Sequence, residues 1–151
     1  MKTLSEPGYL FDTNVWIALV FQSHPLHAAA NRAFVLTSPQ RKAYFCRSTQ
    51  QSFLRLASSE NMARQYGVRP ISNREAFALL ESFMQRPSVG FREEPPNLFP
   101  SWKRYADLPT SSPKRWMDAY LAAFALEAGL ELVSGDSAFK AFARLPLIWL
   151  A

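Results

Sequence analysis

The apolar run Tyr9-Leu10-Phe11 stops on a carboxylate, Asp12, and turns through Thr13 and Asn14 into Asn14 to Phe21, a stretch with the apolar density of a helix packed on a sheet. A strand that becomes a helix within a few residues constrains the fold strongly, and the same succession recurs along the chain. Ser23-His24-Pro25 breaks the first helix, and His27 to Leu36 reads as a second, with Ala28, Ala29 and Ala30 favouring helix. Ala43-Tyr44-Phe45-Cys46 is the next strand, after which Ser48 or Thr49 caps a helix through Phe53, Leu54 and Leu56. Ser72 or Asn73 opens a helix from Arg74 to Gln85 that Pro87 stops, and Val89-Gly90-Phe91 is a short strand. Strands alternating with helices predict a central, mostly parallel sheet covered on both faces.

The last third continues the pattern. Residues 94–113 carry five prolines, and Trp102 and Tyr105 place a short helix among structured loops. From Lys114 the chain is strongly helical through Asp118 to Leu126, and Gly129 stops it. Glu131-Leu132-Val133 reads as a strand with the tip Ser134-Gly135-Asp136, followed by a short helical segment through Phe139 and Phe142 and a last strand, Leu147 to Leu150. A length of 151 residues fits one globular unit.

Three acids then fall into one pattern. Asp12 and Asp136 follow strand tips, and Asp118 lies near the start of the helix that leads into the second of those strands. Parallel strands end at the same edge, where ligands of open α/β sheets bind. Carboxylates brought together there repel one another, and a divalent cation relieves the repulsion. Hard oxygen donors without a thiolate cluster match Mg²⁺ or Mn²⁺. Each acid also has a purely local explanation: Asp caps helices and shapes turns.

Composition narrows the partners. The excess of 17 Lys and Arg over 12 Asp and Glu, a formal charge of +5, suits a polyanion. Arg41, Lys42, Arg47, Lys114 and Arg115 are the cations expected to grip a nucleic acid backbone near the active edge, with exposed aromatics stacking unpaired bases. A lone Cys46 excludes a disulfide framework and a cysteine-rich zinc site and fits a reducing compartment. No apolar run approaches the ~20 residues of a membrane span, and the start, Met1 to Pro7, lacks the apolar segment of a signal peptide, so a soluble cytoplasmic protein is expected. His24 and His27 lack a third nitrogen ligand, and a structural bridge between the first two helices is the expected role.

The ordered set Asp12-Thr13-Asn14 with Trp16, His24 and His27, Thr49-Gln50-Gln51-Ser52-Phe53-Leu54-Arg55, Asp118-Ala119-Tyr120-Leu121-Ala122 and Ser134-Gly135-Asp136 with Phe139 resembles a PIN domain of the VapC toxin type. The resemblance implies a three-layer α/β/α fold over residues 1–151, a Mg²⁺- or Mn²⁺-dependent endoribonuclease, a VapB-like antitoxin partner and a homodimer. It implies that Asp12, Asp118 and Asp136 bind metal, and that products carry a 5′-phosphate and a 3′-hydroxyl. Many PIN domains place a Glu at the start of the helix after the second strand; Gln50 is read into that place, joining the three acids as a catalytic residue with an oxygen donor but no charge. Gln50 also leaves open a scaffold that binds RNA or a protein without cleaving. A haloacid-dehalogenase-like phosphatase would need an acid where Asn14 stands, and a receiver module would need acids before the first strand and a Lys after its last.

Overall fold

The computed structural model describes residues 7–151; the stretch Met1 to Glu6, read above for a signal peptide, lies outside the described residues. Five strands, β1 (Tyr9–Phe11), β2 (Ala43–Phe45), β3 (Val89–Phe91), β4 (Glu131–Ser134) and β5 (Leu147–Trp149), form one wholly parallel sheet in the order β3-β2-β1-β4-β5. The chain therefore builds outward from β1 in one direction and then crosses back to build β4 and β5 in the other. The reversal lies between β1 and β4, whose register pairs Tyr9 with Glu131, Leu10 with Leu132 and Phe11 with Val133. Helices cannot cover the carboxyl ends of both strands at such a switch point, so a crevice opens there.

The two-residue period of the strands divides the core into two layers. Tyr9, Phe11, Ala43, Phe45 and Val133 face one side, where α1 (Thr13–Val20), α2 (His27–Val35), α3 (Arg47–Ala57) and α5 (Asn73–Met84) cover them. Trp16 of α1 stacks on Phe45 with ring centroids 3.9 Å apart, and Phe83 and Phe34 meet the indole edge-on. Leu10 and Leu132 face the opposite side, packed under α6 (Leu98–Ala106) and α7 (Arg115–Ala128) through Leu98, Ala119, Ala122 and Phe124.

Local chemistry accounts for the helix ends. Ser72 caps α5 in a reciprocal box with Glu75, and Gly129 ends α7 in the left-handed conformation at φ 68°, which a side chain would disfavour. The start of α3 differs from the sequence expectation. Cys46, not Ser48 or Thr49, is the capping position; the Thr49 hydroxyl reaches back to accept from the Cys46 N–H (2.9 Å), so the Thr closes the first turn from inside the helix. A further short helix, α4 (Glu60–Gln65), capped by Ser59, was not anticipated, because six mostly polar residues are too few to display a period.

Candidate active site

Asp12, Asp118 and Asp136 line one cleft of about 300 Å³ at the carboxyl edge of the sheet, over the β1/β4 reversal. Their surroundings differ. Asp12 stands at the capping position of α1, yet its side chain makes no capping hydrogen bond. Its carboxylate instead accepts from Ser134 Oγ across β4 (2.8 Å), and the residue is buried. Helix capping therefore does not account for Asp12. Burial pushes its pKa up to about 6, against the lowering effect of the Ser134 hydroxyl and the Thr13 N–H, and the charges of Asp118 and Asp136 add to the rise.

Asp118 lies in the first turn of α7, with Ala119 and Ala122 packed beneath it, so a rigid helix presents its half-buried carboxyl. Burial raises its pKa, with Lys114 and Arg115 pulling against burial and Asp136 adding to it. Asp136 is the most satisfied of the three. It accepts from the Ala138 N–H (2.9 Å), capping the 3₁₀ turn Ser137–Ala141, and pairs with Lys114 Nζ (2.9 Å). Burial works to raise its pKa, but those two donors outweigh burial and hold it below its ordinary value. The Ser134 hydroxyl ties the two strand tips together, because it donates to Asp12 and accepts from the Asp136 N–H (3.0 Å).

Gln50 is not brought to these acids. Its amide oxygen accepts from Arg47 Nη1 (2.6 Å) and its amide nitrogen contacts Met84 Sδ (3.9 Å), toward α5. Side chains two apart on a helix point about 200° from each other, and it is Ser48, Ser52 and Arg55 that line the cleft. Spacing of four and three residues from Ser48 was the available signal, and it places Ser52 opposite the acids.

The cations also separate. Lys114 lies in the cleft. Arg115 donates to the Tyr105 carbonyl and lies over the Phe142 ring. Arg41 and Lys42 precede β2, so parallel strand direction puts them at the opposite, amino edge, where Arg41 pairs with Glu131 (2.8 Å) at the start of β4. They are not active-edge cations. His27 bridges the first two helices as expected, with Nδ1–H donating to the Ala18 carbonyl (2.6 Å) and Nε2 accepting from Asn31. His24 accepts from the Leu26 N–H (3.0 Å) and stacks on Tyr66.

The donor set facing the cleft is carboxylate and hydroxyl oxygen, the chemistry that hard divalent cations prefer. Among the described residues no group of three or more His, Cys, Asp or Glu side chains is already gathered as ready ligands. The Lys114 ammonium occupies one Asp136 oxygen instead. Among the described residues no helix is long and apolar enough to cross a membrane.

The PIN domain family profile matches residues 9–145. Ribonuclease VapC41 of Mycobacterium tuberculosis is 42% identical over 144 residues, covering 94% of this chain and 98% of the relative. Among solved structures, VapBC2 from Rickettsia felis bound to a DNA fragment from its promoter superposes with a TM-score of 0.67 at 12% identity, covering 95% of this chain and 98% of that one. Mycobacterium tuberculosis VapC20, a sarcin-ricin loop cleaving toxin, gives 0.57 at 18% identity, covering 90% and 97%. The sheet order, the three strand-edge and helix-borne acids and a 42% identical relative over nearly the whole length agree, and the chain belongs to the PIN domain family.

Proposed function

We propose that this chain is a metal-dependent endoribonuclease, the toxin half of a toxin–antitoxin pair, acting as one unit over residues 1–151. The observation that carries this reading is the convergence of three carboxylates at the β1/β4 reversal, with Asp12 buried there and not used as a helix cap. A 42% identical relative named a ribonuclease supports RNA as the substrate, and its VapC name supports a VapB-like antitoxin as the partner. A homodimer is proposed with it, as the resemblance of the sequence to VapC-type PIN domains implies.

Asp12, Asp118 and Asp136 would hold Mg²⁺ or Mn²⁺. Bound there, the cation would polarise a phosphate oxygen and acidify a water. Ser134 holds the Asp12 carboxylate in a fixed orientation and couples it to the backbone of Asp136. Lys114 neutralises Asp136 and offers an ammonium to the scissile phosphate, and Arg55 brings a second cation to the cleft wall. Gln50 is engaged with Arg47 and Met84 on the side of α3 away from the cleft, and Ser52 lines the cleft.

Cleavage of total RNA with Mn²⁺, Mg²⁺ or EDTA, comparing wild type with Asp118→Ala, tests the assignment. Metal-dependent cuts that leave 5′-phosphates and vanish in the variant are expected. A second reading, RNA or protein binding without cleavage, draws on the Lys114–Asp136 ion pair and on the uncharged Gln50 where many PIN domains carry a Glu. It requires RNA binding in chelator and no cutting by folded wild type with any metal.

A further inference from the structure

Beside the acid cleft lies a second hollow, framed by Ser48, Trp102, Trp116, Met117 and Tyr120. We propose that it receives an unpaired nucleobase of the RNA whose phosphate lies in the acid cleft; this rests on the ribonuclease reading above.

The two cavities adjoin. Ser48 of α3 and Met117 of α7 line both, so a base in the hollow and a phosphate at the acids can belong to neighbouring nucleotides. Apart from the Ser48 hydroxyl and the edges of its rings, the hollow is apolar. Trp116 is 58% exposed and Met117 59%, one turn or less from Asp118. Exposed aromatic and thioether side chains grouped beside a charged cleft form the kind of surface that a ligand covers.

The hollow is also built. Trp102 Nε1 donates to the Trp116 carbonyl (2.9 Å), and the Trp102 ring is met edge-on by Phe99 at 6.0 Å and Tyr120 at 5.7 Å. The Tyr120 hydroxyl donates to Glu94 (2.9 Å). Trp102 and Tyr120 therefore form a fixed wall, while Trp116 stands open to solvent. A planar, apolar surface beside a phosphate site fits stacking of a nucleobase, which every base offers through its π-face.

Charge points the same way. Lys103 and Arg104 on α6 and Lys114 at the mouth of the cleft are exposed, within a chain of net charge +5. They suit a phosphate backbone running along the α6–α7 surface into the cleft. Position beside the reacting phosphate favours a nucleobase over a protein side chain as the occupant.

The test is anisotropy of a short, fluorescein-labelled single-stranded RNA of mixed sequence in EDTA, with wild type, Trp116→Ala and Trp116→Phe, alongside Mn²⁺-dependent cleavage of total RNA. Trp116→Ala should bind about tenfold more weakly, and Trp116→Phe, which keeps a stacking ring, should stay near wild type. Unchanged thermal melting of both variants establishes that folding is intact. In cleavage, the loss in Trp116→Ala should fall mainly on KM, whereas displacement of Asp118 would fall on kcat. A wild type that binds and cuts RNA with Trp116→Ala matching it would overturn this inference alone and leave the hollow to a protein side chain. A wild type that neither binds nor cuts would sink the ribonuclease reading and this one with it.

Discussion

Asp12→Asn should make the metal-free protein more stable while abolishing cleavage. Burial dominates the Asp12 environment and lifts its pKa from an ordinary 3.8 to about 6. A tenfold change in proton affinity is worth about 1.4 kcal/mol, so the buried charge costs the folded state roughly 3 kcal/mol once both states are ionised. The sign follows from proton counting. The folded state holds this proton more tightly than the unfolded chain, so the cost is absent below the ordinary pKa, grows as pH rises toward about 6, and is constant above it. Asn does not titrate and keeps an oxygen that accepts from Ser134 Oγ, though an amide accepts more weakly than a carboxylate. At about pH 7.5 in EDTA the variant should gain roughly 2–3 kcal/mol, or about 5–10 °C in Tm for a chain of this size, and the gap should close toward about pH 4. Mn²⁺ should raise the wild-type Tm, since a ligand at ~100 times its Kd contributes about 2.7 kcal/mol, and leave the variant nearly unmoved. Calorimetric melts at both pH values check this. A variant no more stable than wild type at the higher pH, or a gap independent of pH, would refute the view of Asp12 as a destabilised carboxylate held in place for a cation.

Two further perturbations bear on the cleft. Lys114→Ala removes a side chain that is 71% exposed, so stability should change by no more than about 1 kcal/mol; calorimetric titration should show tighter Mn²⁺ binding as the competing ammonium leaves Asp136, while the salt dependence of RNA binding should flatten by about one phosphate contact. Ser52→Glu should add a fourth carboxylate to the cleft and tighten Mn²⁺ binding in the same titration, whereas Gln50→Glu, aimed toward α5, should not; the reverse ranking would restore Gln50 to the site.

The local elements were legible because their causes lie within a few residues. Tyr9 to Phe11 reads as a strand from its apolar run, α5 from its opening at Ser72 and its stop at Pro87, and the end of α7 from Gly129. Those signals need no knowledge of what lies across the molecule. Failures occurred where a local cue was ambiguous by one helical turn or shorter than a period. Thr49 closes the first turn of α3 from its third position, and α4 has too few residues to show a face.

What the chain by itself determined is therefore the succession of strands and helices and the placement of Asp12 and Asp136 just past strand ends, since strand direction alone carries both to one edge of a parallel sheet. The tertiary structure decided which side chains meet there. Insertion of β4 beside β1 brings Ser134 to Asp12 across 122 residues, and the rotation of α3 turns Ser52 toward the acids and Gln50 away. The pairing of α6 with α7 assembles Trp102 and Tyr120 into one wall beside the exposed Trp116. Those meetings depend on how each apolar face is buried against distant elements, and helix rotation and strand order follow from that burial and not from the neighbours in sequence.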